Sequence, residues 1–343
     1  MKKKLWLSLL LMLTLSLFLV ACGGGDEGAN TDADEETNTS DEGSTDSSDG
    51  GDNPDFLSFL TGGTSGTYYP LGGAIAKIIS DETGIQTDAL SSNASADNII
   101  ALKDGEAELA FTQTDVAAYA VEGINAFEGE PVDNVLALGA LYPETVQIVT
   151  TDKSGIESVE DLAGKKVSVG APGSGTYVNA EQILEVHGMT MDDIDAQNLD
   201  FGESAGGIKD GNIDAAFITA GTPTGAVEEL QATAGVYVLP IEQDKADELI
   251  EKYPYYAVDT ISEGTYGLEE DINTVAVYAM VVVKDDLSEG VVYDITKALY
   301  ENADAIAHAK AEYISLDNAL EGIGFELHPG AKKYFEEAGL EVE

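Results

Sequence analysis

The tetrapeptide Ser65-Gly66-Thr67-Tyr68 recurs 109 positions later as Ser174-Gly175-Thr176-Tyr177. A glycine-serine turn that opens a helix leaves backbone N–H groups without intrahelical partners, and the helix dipole adds partial positive charge beside them. Such a turn can hold an anion without help from a cationic side chain. That matters here, because all 16 basic residues are lysines and no arginine is present to clamp a carboxylate with two parallel bonds. Neither turn is followed by Gly-Lys-Ser/Thr, which excludes a P-loop, and neither has the Gly-x-Gly-x-x-Gly spacing of a dinucleotide site.

A second pattern points to different chemistry. Gly202-Glu203-Ser204-Ala205-Gly206 matches the Gly-x-Ser-x-Gly of α/β-hydrolases, and His308 and His328 follow it in the chain. Read as a strand-to-helix turn, it would expose Ser204 as a nucleophile. Ser204 is also the counterpart of Ser95, again 109 positions apart, and Ser95 has no such elbow. A serine hydrolase therefore stands as the remote alternative, and the main reading is not an enzyme. His187, His308 and His328 are scattered, with no His-Glu-x-x-His, so neither a metal nor a cofactor is expected. His187 reads as the end of a helix. Tyr69, Tyr119 and Tyr142 are expected in ordinary packing, whereas Tyr68 and Tyr177, placed at the turns, are expected to face a ligand.

Positioning these turns requires strands and helices in alternation. Phe56 to Leu60 reads as a strand running into the first turn, and Leu71, Ile75, Ile78 and Ile79 then share one helix face. Asp104 to Phe111 recurs as Asp210 to Phe217 at an offset of 106, so the second copy is expected to be shorter by three residues in its middle helix. Ordered matches at nearly one offset imply a structural duplication. Each copy reads strand, turn, helix, strand, turn, helix, strand, turn, which predicts parallel α/β sheets with ligands outside the carboxyl ends of the strands. Two facing copies would form a cleft lined by residues 61–69, 91–97 and 112–115 of the first and 171–177, 202–207 and 219–224 of the second. Val135 to Tyr142 and Val146 to Val149 read as extended runs into the second copy, and Val275 to Val283 as the return. The helical remainder, Ser288 to Gly339, is expected on the first lobe. The expected division is 54–148 with 282–343 for lobe 1 and 149–281 for lobe 2, with two crossings acting as a hinge.

The ends and the charge bound the setting. Lys2 to Lys4 and the apolar run Leu5 to Ala21 read as a secretory signal over residues 1–21, ending in Leu19-Val20-Ala21-Cys22. Cys22 is the only cysteine, which excludes an internal disulfide. Residues 22–53 are acidic and polar almost throughout and read as a disordered tether. The formal net charge of −48 argues against nucleic acid or anionic lipid as a partner and for a salty or alkaline medium.

Several of these segments together resemble a known family. The stretch Thr61 to Gly72, the run Ala110 to Asp115, Gly170 to Thr176, Thr222-Pro223-Thr224 and Leu327-His328-Pro329-Gly330-Ala331 resemble the TAXI family. These are the extracytoplasmic receptors of tripartite ATP-independent periplasmic (TRAP) transporters, and the resemblance spans about residues 55–340. It implies an α/β, type II periplasmic-binding-protein fold, two similar lobes joined by hinge strands. It further implies capture of a small acidic solute, glutamate or a related dicarboxylate, for delivery to TRAP permease subunits. By the same resemblance, Thr64, Ser65, Thr67, Tyr68, Ser92, Asn93, Ser95, Gln113 and Asp115 would contact solute from the first lobe. Gly173, Ser174, Gly175, Thr176, Thr222 and Pro223 would close from the second. The residues before Cys22 resemble a lipobox, which implies cleavage of the signal and a lipid on Cys22 holding the protein to the outer face of the membrane. The lack of arginine distinguishes the chain from C4-dicarboxylate receptors and leaves open what pairs with a second carboxylate. An ABC-importer receptor, which shares fold and tether, is the alternative.

Overall fold

A computed structural model describes residues 54–342. The expected signal, tether and lipidated Cys22 lie outside the described residues. The first pass of the chain is β1 (Phe56–Leu60), α1 (Tyr68–Thr83), β2 (Gln86–Leu90), α2 (Ser95–Lys103), β3 (Leu109–Gln113) and α3 (Thr114–Glu122). A long strand, β4 (Val135–Thr150), leads into the second pass: β5 (Lys166–Ser168), α4 (Gly175–Val186), β6 (Asp195–Gln197), α5 (Phe201–Lys209), β7 (Ala215–Ala220) and α6 (Gly225–Ala234). Then follow β8 (Tyr237–Leu239), α7 (Gln243–Lys252), β9 (Ala257–Ile261) and a second long strand, β10 (Ile272–Lys284). The chain closes with α8 (Glu289–Glu301) and α9 (Pro329–Glu337).

The strands order as β2-β1-β3-β10-β4-β7-β5-β6, with β8 on β4 and β9 on β10. Counted outward from the middle, β10-β3-β1-β2 mirrors β4-β7-β5-β6. The outer strands pair in parallel, while β10 and β4 run antiparallel to each other and to β3 and β7. The two extended runs expected at 135–142 and 146–149 are one strand, and β10 lies beside it from Ala276 to Lys284.

Sequence explains the elements locally. β10 is rich in Val and nearly wholly buried, as a strand covered on both faces must be. On β7, Ala215 and Phe217 enter one core while Ala216, Ile218 and Ala220 enter another, the period of two expected of a central strand. In α1, Leu71, Ile75 and Ile79 are buried on one face, and Gly84 ends the helix at φ 75°, a left-handed conformation that glycine adopts without strain. The segment from Val291 to Phe335 packs into the same core as β1, α1 and β3.

The structure corrects the expected site of shortening in the second copy. Helices α2 and α5 each have nine residues, and each is followed by an aspartate. The loss lies just before these helices: α2 begins nine positions after the start of β2, at Gln86, whereas α5 begins six positions after the start of β6, at Asp195. Ser204 therefore corresponds to Asn98, inside the helix, and not to Ser95 at its start.

Candidate functional site

Turns from both halves enclose a cavity of about 370 Å³. That is near the small end of the roughly 300–1,000 Å³ typical of ligand pockets. The first half supplies Thr64, Thr67, Tyr68, Ser92, Asn93, Ser95 and Gln113, and the second supplies Ser174, Gly175 and Thr176, all expected from sequence. Helices α1 and α4 begin at this wall, so their first N–H groups are available to an anion. Ser174 shapes the second turn, its hydroxyl accepting from Tyr177 N–H at 3.2 Å.

Five expected residues are absent from the wall, and three of them join the halves. Gly173 C=O accepts from Ala96 N–H and Asp97 N–H at 3.0 and 3.2 Å, so the α2 start is capped by the other half. Ser65 C=O accepts from Ala226 N–H at 3.1 Å. Asp115 accepts from Asn179 at 3.2 Å, and Thr222 and Pro223 precede α6. Thr67, although at the wall, donates its hydroxyl to Gly221 C=O at 3.1 Å and thereby also ties one half to the other. Tyr177 is not at the cavity; it packs against the core of the second half.

Sequence reasoning missed three side chains of the wall, Glu144, Asp200 and Phe201. Glu144 is a lone carboxyl in the 16-residue strand β4, and that isolation among apolar neighbours was its signal. Asp200 and Phe201 were obscured because the capping box Asp200-Phe201-Gly202-Glu203, with Asp200 accepting from Glu203 N–H at 2.8 Å, starts α5 earlier than expected. Residues 202–207 consequently lie within the helix instead of forming a turn.

The hydrolase reading fails on the same geometry. Ser204 is fully buried inside α5, and its hydroxyl bonds Ser168 Oγ at 2.7 Å and Asp200 C=O at 2.6 Å. His308 Nδ1 accepts from Lys310 N–H and His328 Nδ1 from Gly330 N–H, each capping its own segment.

Burial dominates the electrostatics. Removal from water pushes the Glu144 carboxyl up from 4.5 to about 8, against a hydrogen bond from Tyr68 Oη at 2.7 Å. Burial likewise raises Asp115 from 3.8 to about 7. Tyr68 is fixed by stacking on Phe111, with ring centroids 4.6 Å apart. Ala94, on the cavity wall before α2, has φ 70° and ψ −171°, a region costly for any residue with a Cβ. Within the wall, Gln113 Oε1 and Thr219 Oγ1 are buried with no partner. Unsatisfied atoms of this kind in a cavity indicate room for a polar guest. Among the described residues no group of His, Cys, Asp and Glu could hold a metal.

A comparison with protein families matches residues 59–339, most of the sequence, to one family. This chain belongs to the NMT1-like family. The membership is broader than the TAXI resemblance and does not by itself imply it. Among solved structures, the NMT1-like chain is similar to a protein from Bordetella bronchiseptica RB50, with 17% identity, 82% of each chain covered and a TM-score of 0.53. It is also similar to PhnD1 from Prochlorococcus marinus in complex with methylphosphonate, with 12% identity, 84% of this chain and 98% of that one covered, and a TM-score of 0.50. A structure described as a periplasmic transporter matches at 14% identity over 82% of this chain and 94% of that one, with a TM-score of 0.51. The NMT1-like chain has the mixed α/β, two-lobed type II fold of periplasmic binding proteins.

Proposed function

We propose that the protein is an extracytoplasmic receptor that closes on one small acidic solute and delivers it to a membrane importer. The observation that carries this is the cavity walled by turns of both halves, with the starts of α1 and α4 meeting there. The solute is glutamate or a related dicarboxylate, with one acidic group on the helix starts. Family and fold relationships favour an ABC-type permease as partner. The TAXI-like motifs support the other reading, a TRAP permease. The lobes divide as 54–148 with 282–343 and 149–281, and a lipid on Cys22 holds the mature chain to the membrane after cleavage of residues 1–21.

Native mass spectrometry of the protein purified without denaturation tests the receptor reading. A co-purified solute of a few hundred daltons or less, in equal stoichiometry, is expected. Its absence, together with no heat of binding for any acidic solute offered, would overturn the reading. Uptake by the reconstituted system separates the partners: dependence on ATP indicates the ABC-type permease, and collapse with an ionophore the TRAP type.

A further inference from the structure

Outside the cavity wall the halves meet along α3 and α4. Asp115 and Tyr119 lie one turn apart on α3, and Asn179 and Gln182 one turn apart on α4. Two rungs join them: Asn179 Nδ2 donates to Asp115 Oδ2 at 3.2 Å, and Gln182 Nε2 donates to Tyr119 Oη at 3.0 Å. Tyr256 fixes the α4 side, its hydroxyl accepting from Asn179 Nδ2 and donating to Gln182 Oε1, both at 2.7 Å. The first rung is incomplete. Asp115 Oδ1 and Asn179 Oδ1 are buried without a partner, and both residues are 0% exposed. Asn179 commits its amide nitrogen to Asp115 and Tyr256, so its oxygen can only accept, and an ionised Asp115 has nothing to donate. Turning the amide over would set its oxygen against Asp115 Oδ2 and call for the same missing donor. Buried acceptors left in this way are costly, and a proton on Asp115 supplies the donor that the contact lacks.

We infer that this contact is a latch: Asp115 carries a proton and donates it to Asn179 while the halves are closed, and ionisation of Asp115 sets acceptor against acceptor and lets the halves part. The effect of the latch on solute affinity rests on the receptor reading above. Its surroundings supply no counter-charge for an ionised Asp115. The groups that act on it electrostatically are Tyr119 on its own helix, Tyr255 and Tyr256 before β9, and Glu144 on β4, all neutral or acidic. On α4 the facing side chains are amides, and β10, packed behind α3, has no ionisable group from Ala279 to Val283. On α2, Lys103 pairs with Glu130, and Asp97 lies in the first turn. Lys310 acts on Glu144. Hydrogen bonds from the backbone at the α3 start favour the carboxylate, but burial outweighs them and holds the acid protonated up to about 7. Opening returns Asp115 to water and to its ordinary value of 3.8. The closed form therefore binds more protons between about pH 4 and 7, so closure weakens as pH rises through that window and changes little above it.

Calorimetry with L-glutamate, whose acid groups stay ionised throughout pH 5.5 to 7.5, tests the latch. Wild-type affinity should fall about tenfold or more across that range, and binding at pH 6 should take up about one proton or more, read from the dependence of the heat on buffer. Asp115→Asn, whose amide donates at every pH, should show a fall smaller by about tenfold and take up one proton fewer. A variant as pH-dependent as wild type, or a wild type that binds the probe without taking up a proton, overturns the latch and leaves the receptor reading standing. Thermal melts establish that the variant is folded; if it is not, wild-type proton uptake decides alone. If neither L-glutamate nor any other acidic solute binds, the receptor reading fails, and small-angle scattering of the ligand-free protein decides the latch. At about 0.5 M salt, where general charge repulsion is screened, wild type should then be more extended at pH 7.5 than at pH 5.5 and Asp115→Asn should not expand. Equal dimensions of wild type at the two pH values overturn the latch as well.

Discussion

Glu144 and Asp115 are carboxyls that folding removes from water, and the sign of their effect follows from that. Each holds its proton to higher pH in the folded chain, at about 8 and about 7, than the ordinary values of 4.5 and 3.8. Between about pH 4 and 8 the folded state therefore binds more protons than the unfolded state, and stability falls as pH rises through that window. The ligand-free melting temperature should drop from pH 5 to pH 8, and Glu144→Gln with Asp115→Asn should flatten the drop. A double variant whose melting temperature falls as steeply as wild type would contradict this. Of these two residues, sequence located Asp115 near the site but not its bond to Asn179, 64 positions away, because a contact across the halves leaves no local pattern. Glu144 was overlooked because the break at Pro143 divided one strand into two apparent runs, although a single acid inside such a strand is itself informative.

At the scale of elements, the two glycine-serine turns were legible because they repeat, and so was the order of strands and helices that carries them. What was not legible was how the turns touch. Gly175 opens α4, and a Cβ built there would collide with the Gln113 amide of the other half. The glycine thus serves close approach of the halves as much as access to a ligand. Gly175→Val should hold the halves apart, lowering affinity about tenfold or more for any solute that requires closure, while each core stays intact. Small-angle scattering should find no contraction on adding solute at saturating concentration. A variant that contracts as wild type does would remove this role from Gly175. The register of α5 was likewise decided by the capping box at Asp200, a local rule that outweighs the resemblance of Ser204 to a nucleophile.

Across the whole molecule, 64 acidic residues oppose 16 basic ones, a balance plain from composition. A solute of net negative charge is repelled from afar and attracted only at the helix starts. Raising ionic strength from 0.01 to 1 M shortens the Debye length from about 30 to about 3 Å, removing distant repulsion before it weakens short contacts. Stopped-flow association with L-glutamate should therefore accelerate with salt, over a range where circular dichroism reports no unfolding. A rate that falls would indicate that a cationic solute is steered to the site.

The position of β10 has a consequence for how the chain assembles. It is inserted between β3 and β4, yet it is made more than a hundred residues after either. Until it arrives, each half presents an unpaired sheet edge, open to pairing with another chain. One late strand closes both edges, so the nucleus of each half is completed by the same long-range event, and high contact order slows that event. The halves are built as repeats, but their folding is tied into one cooperative step at residues 272–284.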